Sequence, residues 1–285
     1  VAVVGRPNVG KSTLVNRLVG QKVAIVSSRP QTTRNLIQGA ASGPEWQMVL
    51  VDTPGLHRPR TELGERLNRL VHATLPDMDA VIFLLDATGR IGPGDRLIAG
   101  RLHEAGSRVV CAVNKIDIAR SPQVVDQLAE AGSWDFEAYV PVSALGGEGV
   151  EALVSELVSR LPEGPGYFPE GMWTDQPEEF LVAEIVREKF INRLRDELPH
   201  SLAVQVQETH TRADGLMEIR AELIVERDSQ KGIVIGEGGS MLSAAGAEAR
   251  AELEALFATR VYLALRVRIE PNWQRRRALL DRLGF

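Results

Sequence analysis

The sequence is short of cysteine: Cys111 is the single one in 285 residues. No internal disulfide can form, which fits a reducing compartment. Cys111 lies inside an apolar run, so a buried structural role is expected. No apolar run is long enough to span a bilayer, and no signal-peptide pattern is present. No Cys/His grouping has the spacing of a metal site. A basic excess is missing too. The net charge is −5, so overall charge does not advertise a nucleic-acid binder. What remains is 44% hydrophobic and 25% charged, an ordinary balance for a soluble globular chain with room for one large or two ordinary domains. The chain begins at Val1, one strand before its most informative motif, so a short N-terminal piece is expected to precede it.

That motif organises the first half. Val1 to Val4 reads as a strand, and Leu14 to Leu18 as part of a helix. Between them stands Gly5-Arg6-Pro7-Asn8-Val9-Gly10-Lys11-Ser12-Thr13, the pattern G-x-x-x-x-G-K-[ST]. Such a turn aims successive backbone N–H groups at phosphate oxygens, while Lys11 reaches the β- and γ-phosphates and Ser12 offers its hydroxyl to Mg²⁺. A polar loop follows, carrying Pro30-Gln31-Thr32-Thr33-Arg34. In nucleotide switches one loop threonine completes the Mg²⁺ shell and senses the γ-phosphate; Thr32 and Thr33 are both candidates.

The apolar run Trp46 to Val51 ends in Asp52-Thr53-Pro54-Gly55. An acid at the end of a strand beside the phosphate loop is placed to hold Mg²⁺, and the Gly55 N–H to face the γ-phosphate. Leu56 comes next. Enzymes of the Ras type have a water-orienting Gln here; Leu cannot hydrogen-bond water, so slow intrinsic hydrolysis is expected. His57 is read as a solvated loop residue, and the segment from it to Thr74 as a mobile loop followed by an amphipathic helix.

Ala80 to Asp86 and Arg108 to Val113 are continuous apolar runs, as parallel strands covered on both faces require. The second ends in Asn114-Lys115-Ile116-Asp117. Asp117 can accept both the N1–H and the exocyclic amine of guanine, donors that adenine lacks there. Asn114 would tie loops together and meet the acceptor edge of the base, and the Lys115 stem would cover the ring. Ala138 to Val142 ends in Ser143-Ala144-Leu145, where the Ala144 N–H would meet the base O6. Every motif falls at the carboxyl end of a strand, so the first domain is expected to be a doubly wound α/β sheet over residues 1–161, with guanine specificity.

Residues 162–177 are rich in Pro and Gly and read as a linker. Tyr167, Phe168, Met172 and Trp173 within it imply that it packs against a domain. From 178 to 285 the pattern is an amphipathic helix, two alternating strands around Asp214-Gly215, a short helix, Gly236-Glu237-Gly238-Gly239, a long helix and a strand.

These motifs together resemble the translation-factor-related P-loop GTPases. The G-R-P-N-V-G-K-S-T, T-T-R and D-T-P-G-L forms are similar to its Era-like branch. The second half resembles a type II KH domain, a small α+β fold, through Val-Ile-Gly-x-x-Gly and the order of its elements. In KH domains the G-x-x-G turn clamps a few single-stranded nucleotides. The matching positions are Lys231, Ile235, Gly236, Glu237, Gly238, Gly239 and Ser240. Glu237 departs from the basic residue common there and repels phosphate, which lowers the expected affinity. Arg275, Arg276 and Arg277 could add positive charge or be a solvated helix face.

The resemblance covers essentially the whole chain and implies a GTPase that switches between GTP and GDP with Mg²⁺. It also implies binding near the 3′ end of small-subunit ribosomal RNA and a role in small-subunit assembly, as a cytoplasmic monomer. It leaves room for peripheral contact with the inner face of the cell membrane. In part of the branch the phosphate-loop Asn holds a K⁺ ion in place of an arginine finger, and Asn8 matches that position. Two rivals stand beside this reading: a regulatory GTPase whose C-terminal domain binds a protein, and a GTP-driven modification enzyme, for which no second catalytic constellation is present.

Overall fold

The computed structural model describes residues 1–27, 29, 32–56, 61–195 and 198–283. Two compact units divide it: the first is built mainly from residues 1–175 and the second mainly from 176–285.

In the first unit the elements alternate. They are β1 (Ala2–Gly5), α1 (Lys11–Val19), β2 (Ile37–Gly43), β3 (Trp46–Asp52), α2 (Glu62–Thr74), β4 (Val81–Asp86) and α3 (Pro93–Glu104). Then come β5 (Val109–Asn114), α4 (Ser121–Ala131), β6 (Ala138–Val142) and α5 (Val150–Val158). The sheet order is β2-β3-β1-β4-β5-β6, parallel except for the β2–β3 pair. β4 and β5 sit in the interior of the sheet, and Val81 to Leu85 and Val109 to Asn114 are all buried, which is why they read as unbroken apolar runs. Cys111 is fully buried there, and burial, chiefly, with the nearby Asp95 charge pushes its thiol up to about 12.

Three features depart from the expectations above. β2 was not anticipated: its Ile-Gln-Gly-Ala-Ala-Ser-Gly sequence carries little strand signal and pairs antiparallel to β3. Helix α4 was not singled out either. The domain boundary also moves. The Pro- and Gly-rich stretch expected as a linker at 162–177 belongs to the first unit as far as Asp175. It lies along the edge of β2 through polar groups, with Tyr167 and Met172 exposed: the Ala40 N–H donates to the Trp173 carbonyl at 2.9 Å and the Thr174 hydroxyl to that of Gln38 at 2.7 Å. The Gln47 side chain brackets Phe168, accepting from its N–H at 2.8 Å and donating to its carbonyl at 2.9 Å.

The second unit runs α6 (Glu178–Ile191), α7 (Leu198–Ser201), β7 (Ala203–Thr211), β8 (Met217–Val225), α8 (Asp228–Ile235), α9 (Ser240–Phe257), β9 (Val261–Ile269) and α10 (Arg277–Arg282). β7 and β8 form an antiparallel hairpin, and β9 joins β8 in parallel. The alternating Met217, Ile219, Leu223 and Val225 meet Val182, Val186 and Phe190 of α6 and Ala245, Ala249 and Leu253 of α9 in one core. Small residues on α9 let the helix approach the sheet closely. No helix among the described residues is long and apolar enough to cross a membrane.

Candidate functional site

The phosphate loop has the backbone its glycines predict. Gly10, the residue before α1, has φ +102°, and a Cβ there would stand 2.3 Å from Asn114 Nδ2. Asn8 also takes a left-handed conformation, at φ +65°, and is exposed. Lys11 is buried and folds back over the loop, its Nζ donating to the carbonyls of Gly5 at 3.2 Å and Arg6 at 2.9 Å. Burial lowers its pKa to about 8, opposed by the negative charge of Asp52. Val9 is buried, while Gly10, Ser12 and Thr13 are half-buried at the opening of α1, whose N-terminus favours an anion.

Beside it three oxygens converge. Ser12 Oγ donates to Asp52 Oδ2 at 2.6 Å, and Thr33 Oγ1 lies 3.1 Å from Ser12 Oγ and 3.2 Å from Asp52 Oδ2. The loop therefore brings Thr33, not Thr32, to this corner; Thr33 and Asp52 are buried and Thr32 is half-buried. A hydroxyl pair with a carboxylate is the hard oxygen set that suits Mg²⁺. Pro30 and Gln31 of the same loop, and His57 beyond the next motif, lie outside the described residues.

The Asp-Thr-Pro-Gly turn is held to the phosphate loop. Thr53 Oγ1 donates to the Val3 carbonyl at 2.7 Å, Pro54 is buried, and a Cβ on Gly55 would meet Pro7 Cα at 2.8 Å. Leu56 donates its N–H to the Gly5 carbonyl at 3.2 Å and sends its side chain into the core with Val4 and Val71. The Leu56 side chain is therefore a packing group, and as a hydrocarbon it offers water no hydrogen bond.

On the other flank Asn114 is buried and bridges two loops, its Nδ2 donating to the Val9 carbonyl at 2.8 Å and its Oδ1 accepting from the Ala144 N–H at 2.9 Å. The Ala144 N–H, expected to face the base, is thus engaged by Asn114. Asp117 is exposed. Its Oδ1 accepts from Ser143 Oγ at 2.7 Å, and the carboxylate keeps further acceptor capacity toward solvent. Leu145 is exposed at the tip of the loop.

Two residues that sequence reasoning missed hold this flank. Arg17 of α1 donates through Nε to the Ala144 carbonyl at 3.2 Å and through its terminal nitrogen to that of Leu145. Asp86, at the end of β4, meets Lys115 Nζ at 2.5 Å. An acid at the carboxyl end of a central strand was the available signal for Asp86; nothing local marked Arg17.

In the second unit the Gly236–Gly239 turn joins α8 to α9. Gly236, Gly238 and Gly239 have φ +77°, +58° and +82°, and a Cβ on Gly236 would lie 2.7 Å from the Met241 nitrogen. Glu237 and Ser240 are exposed; Lys231 and Ile235 are half-buried. Ile233, which sequence reasoning passed over, stands 54% exposed on α8, an apolar side chain offered to solvent near the turn. Arg275, Arg276 and Arg277 are exposed.

Comparison with known proteins agrees with both halves. Residues 1–115 match the family described as 50S ribosome-binding GTPase, and residues 197–274 the KH domain family. The chain is 51% identical to GTPase Era of Mycobacterium tuberculosis over 292 aligned residues, covering 100% of this chain and 97% of the relative. It is equally 51% identical, with the same coverage, to GTPase Era of Mycolicibacterium smegmatis. Among solved structures, an Aquifex aeolicus Era variant bound to GDP·AlF4⁻ superposes with a TM-score of 0.96 at 37% identity, covering 99% of this chain and 97% of that one. Era in complex with MgGDPNP and nucleotides 1506–1542 of 16S ribosomal RNA matches with the same score, identity and coverage. The chain is therefore a GTP-hydrolysing enzyme with a KH domain, and it belongs to the Era family of GTPases.

Proposed function

We propose that this GTPase is a guanine-specific, Mg²⁺-dependent switch that binds the single-stranded 3′ region of small-subunit ribosomal RNA and acts in assembly of the small ribosomal subunit. The observation that carries the switch is Thr33 against Ser12 and Asp52, with hydroxyl and carboxylate oxygens within 3.2 Å. A loop threonine in that corner senses the nucleotide, because its place depends on what the other two oxygens hold. The RNA reading is supported by the glycine turn at 236–239 and by the likeness to an Era that holds MgGDPNP and 16S nucleotides 1506–1542.

The chain's own groups divide the work. Backbone N–H groups of Val9 to Thr13 and the Lys11 ammonium hold the phosphates; Asn114, Lys115, Asp117 and the 143–145 loop hold the guanine. Ser12, Thr33 and Asp52 are the residues that would hold Mg²⁺, which would supply positive charge against the charge that develops on the phosphates. Asn8, exposed on the phosphate loop, is the residue that would hold K⁺; a hydrolysis rate equal in Na⁺ and K⁺ removes that part of the reading. Leu56 orients no water, so hydrolysis without an activator is slow.

The test is binding of a short RNA with the small-subunit 3′ sequence to wild type and to Gly238→Asp, with a GTP analogue and with GDP, at low salt where backbone contacts are strongest. Tight binding by the GTP-analogue form that the variant loses is the expected result. Equal RNA affinity in both nucleotide states overturns the switch, and no binding overturns the RNA reading.

A further inference from the structure

Asp86 ends β4 and stands in register with Asn114 at the end of β5. Its carboxylate is gripped from both sides. Oδ1 accepts from the Thr88 N–H at 2.9 Å and the Thr88 hydroxyl at 2.6 Å, and Oδ2 meets Lys115 Nζ at 2.5 Å. The Asp86 carbonyl accepts from Gln127 Nε2 at 2.7 Å, and the same amide donates to the Gly89 carbonyl at 2.5 Å, which fixes the turn. Burial raises the Asp86 pKa, but hydrogen bonds from Lys115 and Thr88 outweigh it and hold the carboxyl below its ordinary range. Lys115 itself has φ +69°, a backbone state that a long side chain rarely adopts. With Asn8 and Val9 of the phosphate loop, Asp86 and Lys115 line one pocket of about 210 Å³.

A lysine that must cover a base has a flexible four-carbon stem, and ordering it on each binding event opposes affinity. Anchoring its ammonium removes that cost in advance. We propose that Asp86 is a positioning residue for guanine nucleotides: it holds the Lys115 ammonium so that the stem lies fixed where the purine ring packs. This rests on the reading that Lys115 covers the base. Asp86 touches no nucleotide atom in this account; it acts through Lys115.

Asp86→Asn keeps an acceptor for Thr88 and removes the charge that holds Lys115. The expected result is a roughly tenfold weaker GDP affinity, the order for re-ordering one long side chain, carried by faster release. KM for GTP rises while kcat at saturation stays at the wild-type value. Lys115→Met retains an apolar chain without the ammonium, so Asp86→Asn should weaken binding no further in that background. Thr88→Val loosens the other side of the same carboxylate at an exposed position and should shift release the same way by less. Additive losses in the double variant, a fall in kcat for Asp86→Asn, or unchanged GDP release in both Asp86→Asn and Thr88→Val overturns the inference. If Lys115→Ala, which removes the stem, leaves guanine-nucleotide affinity intact, the reading of Lys115 as base cover fails, and the inference with it; intact affinity in Lys115→Met overturns the inference alone. Loss in Lys115→Met without loss in Asp86→Asn overturns the inference alone.

Discussion

Raising the pH should strip this enzyme of its nucleotide before it harms the fold, and Lys11 is the reason. Its ammonium is buried, and its pKa falls from the ordinary 10.5 to about 8, burial outweighing the pull of Asp52. Bound phosphates hold the charged form, so binding above that pKa requires uptake of a proton. Affinity then falls by the factor 1 + 10^(pH−8), about elevenfold at pH 9, or ~1.4 kcal/mol. Stability of the nucleotide-stripped protein should move the other way. A lysine whose folded pKa lies below its unfolded value is penalised by folding while charged. The penalty is full below about 8 and relaxes as pH rises toward 10.5, where the unfolded chain still binds the proton. The assay is the Kd of a fluorescent GDP between pH 7 and 9, with proton uptake from calorimetry in two buffers of different ionisation enthalpy. Lys11→Met should abolish the proton uptake on binding, whereas ionisation of guanine itself would leave it in place. Flat affinity across that range, or a step that survives in Lys11→Met, refutes the reasoning.

Thr33→Ala should slow single-turnover GTP hydrolysis at saturating Mg²⁺ by at least about tenfold, the scale of losing one group on a transition-state metal, while Thr32→Ala stays near wild type; equal effects would return both threonines to candidacy. Asn114→Ala leaves the buried Val9 carbonyl and the Ala144 N–H without their partner, and thermal unfolding of the stripped protein should report a loss of about 2–4 kcal/mol. Cys111 should resist alkylation in the native state, since its thiol is fully buried and pushed up to about 12, and labelling within minutes by mass spectrometry would contradict that.

The parts of the site that were legible are those where the backbone itself is the binding surface. A phosphate loop needs glycine at fixed places, and a strand end needs an acid or an amide just where the apolar run stops, so Gly10, Asp52 and Asn114 announce themselves. Thr32 and Thr33 could not be separated, because adjacent loop residues point apart and only the tertiary position of Asp52 selects one. Asp86 stayed silent because its partner lies on another strand, and only the β4–β5 register brings Lys115 to it. Asp117 is exposed although apolar β5 is buried throughout, because the chain leaves the sheet after Asn114.

β2 is the instructive failure. Its small residues lack the alternation that marks a half-buried strand, yet it is the edge of the sheet and an edge needs cover. The cover is the stretch that composition marks as a linker. Trp173 and Thr174 take up backbone groups of Ala40 and Gln38, and Gln47 of the neighbouring strand grips Phe168. Pro and Gly there do not signal slack; they let a chain without a strand's regularity follow a strand's edge. At Gly39 the small residue answers another neighbour, since a Cβ there would stand 2.8 Å from Val19 Cγ2 of α1. The loop that carries Thr33 runs directly into this strand. Thus one short edge element, nearly invisible in sequence, is joined at one end to the loop whose Thr33 meets Ser12 and Asp52, and along its length to the segment by which the chain leaves the first unit.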